Sequence, residues 1–325
     1  MRPRRRGRAE RPAPLPTMPA LRTLDFLVYG LPRSGTSAVA NYLSAVPGVH
    51  CGLEVFPTFM DHGAIRAPRD FLAHDDPLWI PASVAEVTAL QARGDEIRVW
   101  GNKTPTYLYN LAALHDQLGP VPQLLCLRGL DRVAASYAMR AADPDDSWPR
   151  GRGALFACGD ALILLHALAQ LPRTDHILTV PQARLTADWE TVMSRALAHV
   201  APDVPEGYRE QDLVRIAKRR ETSAARPKPA PAKLAQVERD ALGKMRKIGA
   251  AAFFESDAIG PVSDRRDEIA AVLAAAPPDP VKWMRAAVAR HPDGQQNGAA
   301  QDFLRVWLNH VSRITHRLAA AQRSA

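Results

Sequence analysis

Leu24-Asp25-Phe26-Leu27-Val28-Tyr29 runs into Gly30-Leu31-Pro32-Arg33-Ser34-Gly35-Thr36-Ser37, and Ala38-Val39-Ala40-Asn41-Tyr42-Leu43 follows. The first block is an apolar run of strand length. The second is bounded by glycines, and the third reads as a helix. Strand, glycine-bounded loop, helix is an arrangement that cradles a phosphate or sulfate. Loop N–H groups turn inward, and the new helix adds its positive end.

The spacing Gly30-x4-Gly35 followed by Thr36-Ser37 copies that of a P-loop, but Thr36 stands where the P-loop carries its lysine. An ATPase or GTPase needs that lysine on its β- and γ-phosphates, so ordinary nucleotide hydrolysis is disfavoured. The cation here is Arg33, inside the loop. A second strand-to-helix junction lies further on. Pro122-Gln123-Leu124-Leu125-Cys126-Leu127 is the strand, Arg128 ends it, and Asp131 opens a helix that carries Ser136. A magnesium-dependent P-loop enzyme wants an aspartate at such a strand end. A cation there suits a phosphate and repels a metal. Between the two junctions, Asn102-Lys103-Thr104-Pro105-Thr106-Tyr107 follows the apolar run Ile97-Arg98-Val99-Trp100.

These stretches together resemble the sulfotransferases that use 3′-phosphoadenosine 5′-phosphosulfate (PAPS). Pro32-Arg33-Ser34-Gly35-Thr36-Ser37 is similar to that family's 5′-phosphosulfate loop. Arg128 with Ser136 matches its 3′-phosphate motif. Lys103-Thr104-Pro105-Thr106-Tyr107 is similar to a stretch of the carbohydrate-acting, heparan-type members, and the chain as a whole resembles the bacterial and carbohydrate-acting enzymes more than the cytosolic aryl ones. The resemblance covers roughly residues 22 to 200. It implies a PAPS-dependent sulfotransferase that needs no metal and sulfates a hydroxyl of a carbohydrate or small metabolite by in-line displacement. It places Arg33, Ser34, Gly35, Thr36 and Ser37 on the 5′-phosphosulfate and Arg128 and Ser136 on the 3′-phosphate. Lys103 would stabilise the departing bridging oxygen or a sulfate oxygen. The aryl enzymes keep their basic histidine two residues after the matching lysine, where this chain has Pro105. Carbohydrate-acting relatives use a glutamate after the second strand, and Glu54 falls there. Glu54, Lys103 and Arg33 are therefore the catalytic candidates, with His50 and His62 as alternative bases. Two departures stand out: Gly129-Leu130 replaces the usual Asp-Pro, and Lys244-Met245-Arg246-Lys247-Ile248-Gly249 matches the family's nucleotide lid only loosely. The rival readings are a P-loop small-molecule kinase and a nucleotide-binding protein without turnover.

The rest of the chain sets the frame. Its 325 residues and 46% hydrophobic content allow one large domain with a sizeable core. Of the net charge of +8, residues 1 to 11 supply +5 through six arginines and one glutamate. The body is only modestly basic and does not argue for nucleic acid. Residues 1–20 read as a disordered tail, and no stretch is apolar enough to span a membrane or serve as a secretory signal. Three widely spaced cysteines, Cys51, Cys126 and Cys158, read as reduced thiols of a cytoplasmic protein. No His/Cys cluster has metal-ligand spacing.

Strands are expected at 24–29, at 49–54 ending on Glu54, and at 97–101, 122–127 and 176–180. Helices are expected between them, including 154–171 and a helix at 188–200 with Asp188 as N-cap. That alternation predicts an α/β, P-loop-like three-layer fold with a central parallel sheet over residues 21–203. Residues 56–95 would carry the acceptor pocket. Residues 204–325 are expected to form a helical extension packing on the core. It opens with an exposed basic, proline-rich link, Lys218-Arg219-Arg220 and Arg226-Pro227-Lys228-Pro229-Ala230-Pro231, followed by helices near 233–247, 264–275, 280–290 and 300–322. The last carries Phe303, Leu304, Trp307, Leu308, Val311, Ile314 and Leu318 on one face. That stripe is a packing face, or alternatively the seam of a homodimer.

Overall fold

The computed structural model describes residues 24–54, 96–204, 207–224, 233–291 and 298–311. Its centre is a five-stranded, all-parallel sheet: β1 (Phe26–Gly30), β2 (Val49–Leu53), β3 (Val99–Lys103), β4 (Gln123–Leu127) and β5 (Ile177–Pro181), in the order β2-β3-β1-β4-β5. Every residue of β1, β4 and β5 is buried, as expected when helices cover both faces. The period-2 alternation of β1 splits its side chains between two cores. Phe26 and Val28 join α1 (Thr36–Leu43) and a helix at Trp189–Val200 on one face. Leu27 and Tyr29 join the larger core on the other.

That larger core is built on a helix with little polar character. In chain order the helices after α1 are α2 (Leu111–Leu118), α3 (Leu130–Ala142), α4 (Ala154–Gln170), α5 (Gln182–Ala187), α6 (Trp189–Val200), α7 (Glu210–Ala224), α8 (Gln236–Lys247), α9 (Ala250–Glu255), α10 (Arg266–Ala275) and α11 (Pro280–Ala289). A further helix, α12, covers 298–311. Helix α4 is buried on nearly all sides and packs against α3, α8, α10 and α11. Its one charged residue, Asp160, is fully buried. An unpartnered carboxyl group there would cost several kcal/mol, and four donors prevent that. Oδ1 accepts from the Tyr109 hydroxyl at 2.5 Å and from Trp307 Nε1 at 2.8 Å. Oδ2 accepts from the Tyr137 hydroxyl and from Arg152 Nη2, each at 3.0 Å. Burial opposes the charge on Arg152, but Tyr137, Tyr109 and Asp160 outweigh it and push its pKa up. These donors come from four separate segments, so one carboxyl group ties α3, the 3₁₀ turn Pro105–Tyr109, the loop before α4, and α12 together.

The strands fall within two residues of their expected positions. The α4 helix and the α6 helix also appear as read, with Asp188 Oδ1 accepting from the Thr191 N–H at 3.4 Å. The three cysteines are buried and none is in a disulfide. Three readings need revision. The third strand runs on to Lys103, because buried Asn102 is held at the sheet end by its own contacts, donating to Thr104 Oγ1 and the Tyr107 hydroxyl. Lys218-Arg219-Arg220 belongs to a helix rather than a link: it lies within α7, whose Ile216 is buried against the α1–α6 face. Finally, α5 and α9 were not foreseen, each being only six residues long. Phe303, Trp307 and Val311 of the apolar stripe are buried in the larger core, with Phe303 edge-on to Phe156. Ile314 and Leu318, the tail 1–20, the stretch 226–228 and all of 56–95 lie outside the described residues.

Candidate active site

The strand order decides where the site sits. In an open parallel sheet, ligands bind beyond the carboxyl ends of the strands, where the chain direction of the connections reverses. Here β1 is flanked by β3 and β4, and the loop after it opens at that point. Two glycines shape the loop. A Cβ at Gly30 would lie 2.4 Å from the Cys126 carbonyl oxygen and 2.7 Å from Ser34 Oγ, so only glycine lets β1, β4 and the loop meet there. Gly35 has φ 94°, left-handed geometry that glycine adopts without strain, and it caps α1. Thr36 and Ser37 then occupy the first turn of α1, with their N–H groups at its positive end.

The loop borders a cleft of about 580 Å³. Among the described residues lining it are Arg33, Lys103, Arg128, Arg140 and Arg220, and the acidic one is Glu54. Arg33 Nε donates to Ser136 Oγ at 3.1 Å, and Arg128 Nη1 donates to the Arg33 carbonyl at 2.8 Å. The two strand-to-helix junctions of the sequence therefore meet in space. Desolvation and then the charge of Arg140 push the Arg33 pKa down, and desolvation followed by Arg33 and Arg132 does the same to Arg128. Clustered cations that depress one another mark a place short of negative charge. Two buried polar atoms, Ser34 Oγ and Arg128 Nε, have no protein partner. A bound polyanion matches both the orphaned donors and the charge.

Glu54 and Lys103 sit side by side on the other flank. Lys103 ends β3 in register with Leu53, Glu54 follows Leu53, and the Glu54 N–H donates to the Lys103 carbonyl at 2.8 Å. Lys103 Nζ donates to Glu54 Oε1 at 2.5 Å. The lysine is buried, whereas 55% of the Glu54 side chain is exposed to the cleft side. Among the described non-glycine residues, Arg33 (φ 71°) and Glu54 (φ 61°) have positive φ. Both line the cleft, and backbone strain of this kind clusters at functional positions. His50 lies near the start of β2, the far end of the strand from the cleft. His62 lies outside the described residues.

Lining residues that the sequence did not mark as part of a site include Arg140, Trp148, Gln182 and Arg220. Arg140 had a local signal, one helical turn beyond Ser136 on the same face. Arg220 had none. It reaches the cleft from α7, donating to the Thr186 carbonyl and lying 5.7 Å from the Trp189 ring. The loosely matched lid stretch ends α8, where Arg246 Nη2 donates to Asp131 Oδ2 at 2.7 Å beside the start of α3. No group of three or more His, Cys, Asp or Glu able to hold a metal occurs among the described residues, and none of their helices is long and apolar enough to cross a membrane.

A model of the sulfotransferase family matches residues 25–206, more than half of the chain. The chain belongs to the sulfotransferase family. A search of curated protein sequences returns no match. Solved sulfotransferase structures are similar at low identity. One from Alicyclobacillus acidocaldarius is 17% identical, covering 64% of this chain and 98% of its own, with TM-score 0.39. The sulfotransferase domain of the Synechococcus PCC 7002 olefin synthase is 16% identical, covering 74% and 98%, with TM-score 0.42. One from Mycobacterium avium is 14% identical, covering 70% and 77%, with TM-score 0.41.

If Arg128 and Ser136 hold a 3′-phosphate, removing the cation separates the two anion sites. Arg128→Ala is expected to weaken a 3′-phosphorylated adenine nucleotide roughly 10–100-fold, the size of a charge-assisted contact, and its 3′-dephospho analogue hardly at all. Calorimetric titration of both nucleotides reads this directly. Equal weakening would make Arg128 a structural residue of the loop, through its bond to the Arg33 carbonyl.

Proposed function

We propose that this sulfotransferase moves the sulfuryl group of PAPS to a hydroxyl of a carbohydrate or small-metabolite acceptor. The observation that carries the reading is the meeting of Arg33 with Ser136 and of Arg128 with the Arg33 carbonyl on one cleft edge. Arg33 and the loop N–H groups hold the 5′-phosphosulfate, while Arg128 and Ser136 hold the 3′-phosphate. Ser34 and Arg128 gain partners for their orphaned atoms. Lys103 stands to neutralise charge on the departing oxygen, and Glu54 beside it to take the acceptor proton. Forked arginine donors suit phosphate and sulfate oxygens better than a point charge does.

The test is ligand preference. The bisphosphate product, 3′-phosphoadenosine 5′-phosphate, is expected to raise the melting temperature more than ATP with magnesium does. A ligand at 100 times its Kd adds roughly 2.7 kcal/mol of stability. An equal or larger shift with ATP–magnesium would favour the small-molecule kinase instead. Product binding without sulfate release from PAPS in the presence of acceptors would favour a non-catalytic nucleotide-binding protein.

A further inference from the structure

One stretch of the cleft wall takes no part in the donor contacts above. It begins at the anion loop. A Cβ at Gly35 would lie 3.4 Å from Gln182 Cγ, so the first residue of α5 rests against the loop glycine. Gln182 Nε2 donates to Thr186 Oγ1 at 3.2 Å, and the Thr186 carbonyl accepts from Arg220 Nη2 at 2.6 Å. One packing contact and two hydrogen bonds thus link Arg220, on α7, to the loop. The strand order sets the side. Helix α5 follows β5, beyond β4, whereas Lys103 and Glu54 stand at the ends of β3 and β2, across β1. Along α1 the wall continues from Ala38 to Asn41 and Tyr42, one helical turn on. Between the loop and Arg220 the lining side chains are therefore uncharged.

Arg220 itself is held as a flat surface. Its guanidinium lies over the Trp189 ring, 5.7 Å from the centroid, and the Tyr42 ring is 5.8 Å from that of Trp189. Trp189 is buried and is not among the cleft-lining residues, whereas Arg220 is. The cleft therefore meets the face of the guanidinium that is turned away from the indole. The bond to the Thr186 carbonyl fixes the plane. A guanidinium backed by one aromatic ring offers its other face to a second π-system, and nucleobases stack on such planes. The donor brings one. With its 5′ group on the loop and its 3′-phosphate on Arg128 and Ser136, it spans the two along one edge of the ribose. The base leaves from the opposite edge, at C1′. The flank of Lys103 and Glu54 is kept for the acceptor hydroxyl, so the base turns to the Gln182 side. Arg220 lies beyond residues 25–206, which the family model matches. We propose that Arg220, backed by Trp189, is the platform on which the adenine of the donor stacks, and that it secures the base and neither phosphate. This rests on the donor assignment made above.

Two probes test it: 3′-phosphoadenosine 5′-phosphate and the abasic ribose 3,5-bisphosphate, which carries both phosphates and no base. Each is titrated calorimetrically into the full chain and into Arg220→Lys, which keeps the charge and loses the plane. Ile216 seats α7 on the core, so the variant is expected to fold. The unaltered chain should bind the nucleotide about tenfold or more tighter than the abasic probe, the size of one stacked base. Arg220→Lys should weaken the nucleotide roughly fivefold to tenfold and the abasic probe less than about twofold. Equal weakening of both probes makes Arg220 a phosphate contact or a structural residue and overturns the proposal. Unchanged nucleotide affinity in the variant overturns it too, as does an abasic probe that binds the unaltered chain as tightly as the nucleotide. Failure of the unaltered chain to bind either probe refutes the donor assignment itself, a separate result.

Discussion

Glu54→Gln is expected to lower sulfuryl transfer by about 10²–10⁴-fold, the usual range for a positioned base, with fold and nucleotide affinity intact. An acceptor hydroxyl is a poor nucleophile until a base shares its proton. Pro105 occupies the place of the histidine that aryl relatives use, so the proton needs another receiver. Glu54 is suited by position. Lys103 engages its Oε1, and the residue lines the cleft with 55% of its side chain exposed. Glutamine keeps an oxygen for Lys103, so the lysine stays where it is while proton uptake is lost. The left-handed backbone at Glu54 is unchanged by the substitution. Turnover is measured against the product nucleotide's Kd in the same preparation. Near-normal turnover would remove Glu54 from the mechanism. A matching fall in nucleotide affinity would make it a structural partner of Lys103 instead. His50 is poorly placed to replace it, at the far end of β2.

Asp160→Ala is expected to cost about 3–5 kcal/mol of stability, because it leaves the Arg152 charge buried without its partner. Trp307 and both tyrosines lose their acceptor in the same step. The melting temperature should fall by roughly 5–15 °C. A paired replacement checks the cause. Asp160→Leu with Arg152→Met removes both charges, and a buried ion pair is often worth little against well-packed apolar side chains. The double variant should therefore be more stable than Asp160→Ala. Should Asp160→Ala cost less than about 1 kcal/mol, the carboxyl group is not the tie between α12 and the core.

The parts of the site legible in the sequence are those that one short stretch encodes alone. Gly30 to Ser37 contains its own turn, its cation and the start of its helix, so spacing suffices to read it. Arg128 and Ser136 are close in the chain because a strand end and the next helix carry both. The alternation of apolar strands with helices likewise implies a parallel sheet, since such strands must be covered on both faces. Charge along the chain is less informative. Lys218-Arg219-Arg220 reads as exposed by composition, but Ile216 pulls its helix onto the core and turns Arg220 toward the cleft. Asp160 is a lone carboxylate in an apolar helix, and nothing local announces its four donors, which come from residues 109, 137, 152 and 307. The sequence by itself determined the anion loop, the strand-end cation and the fold class, because local backbone geometry and periodicity encode them. Only the tertiary structure decided which distant side chains share the cleft, because the order β2-β3-β1-β4-β5 brings strand ends together that lie far apart in the chain.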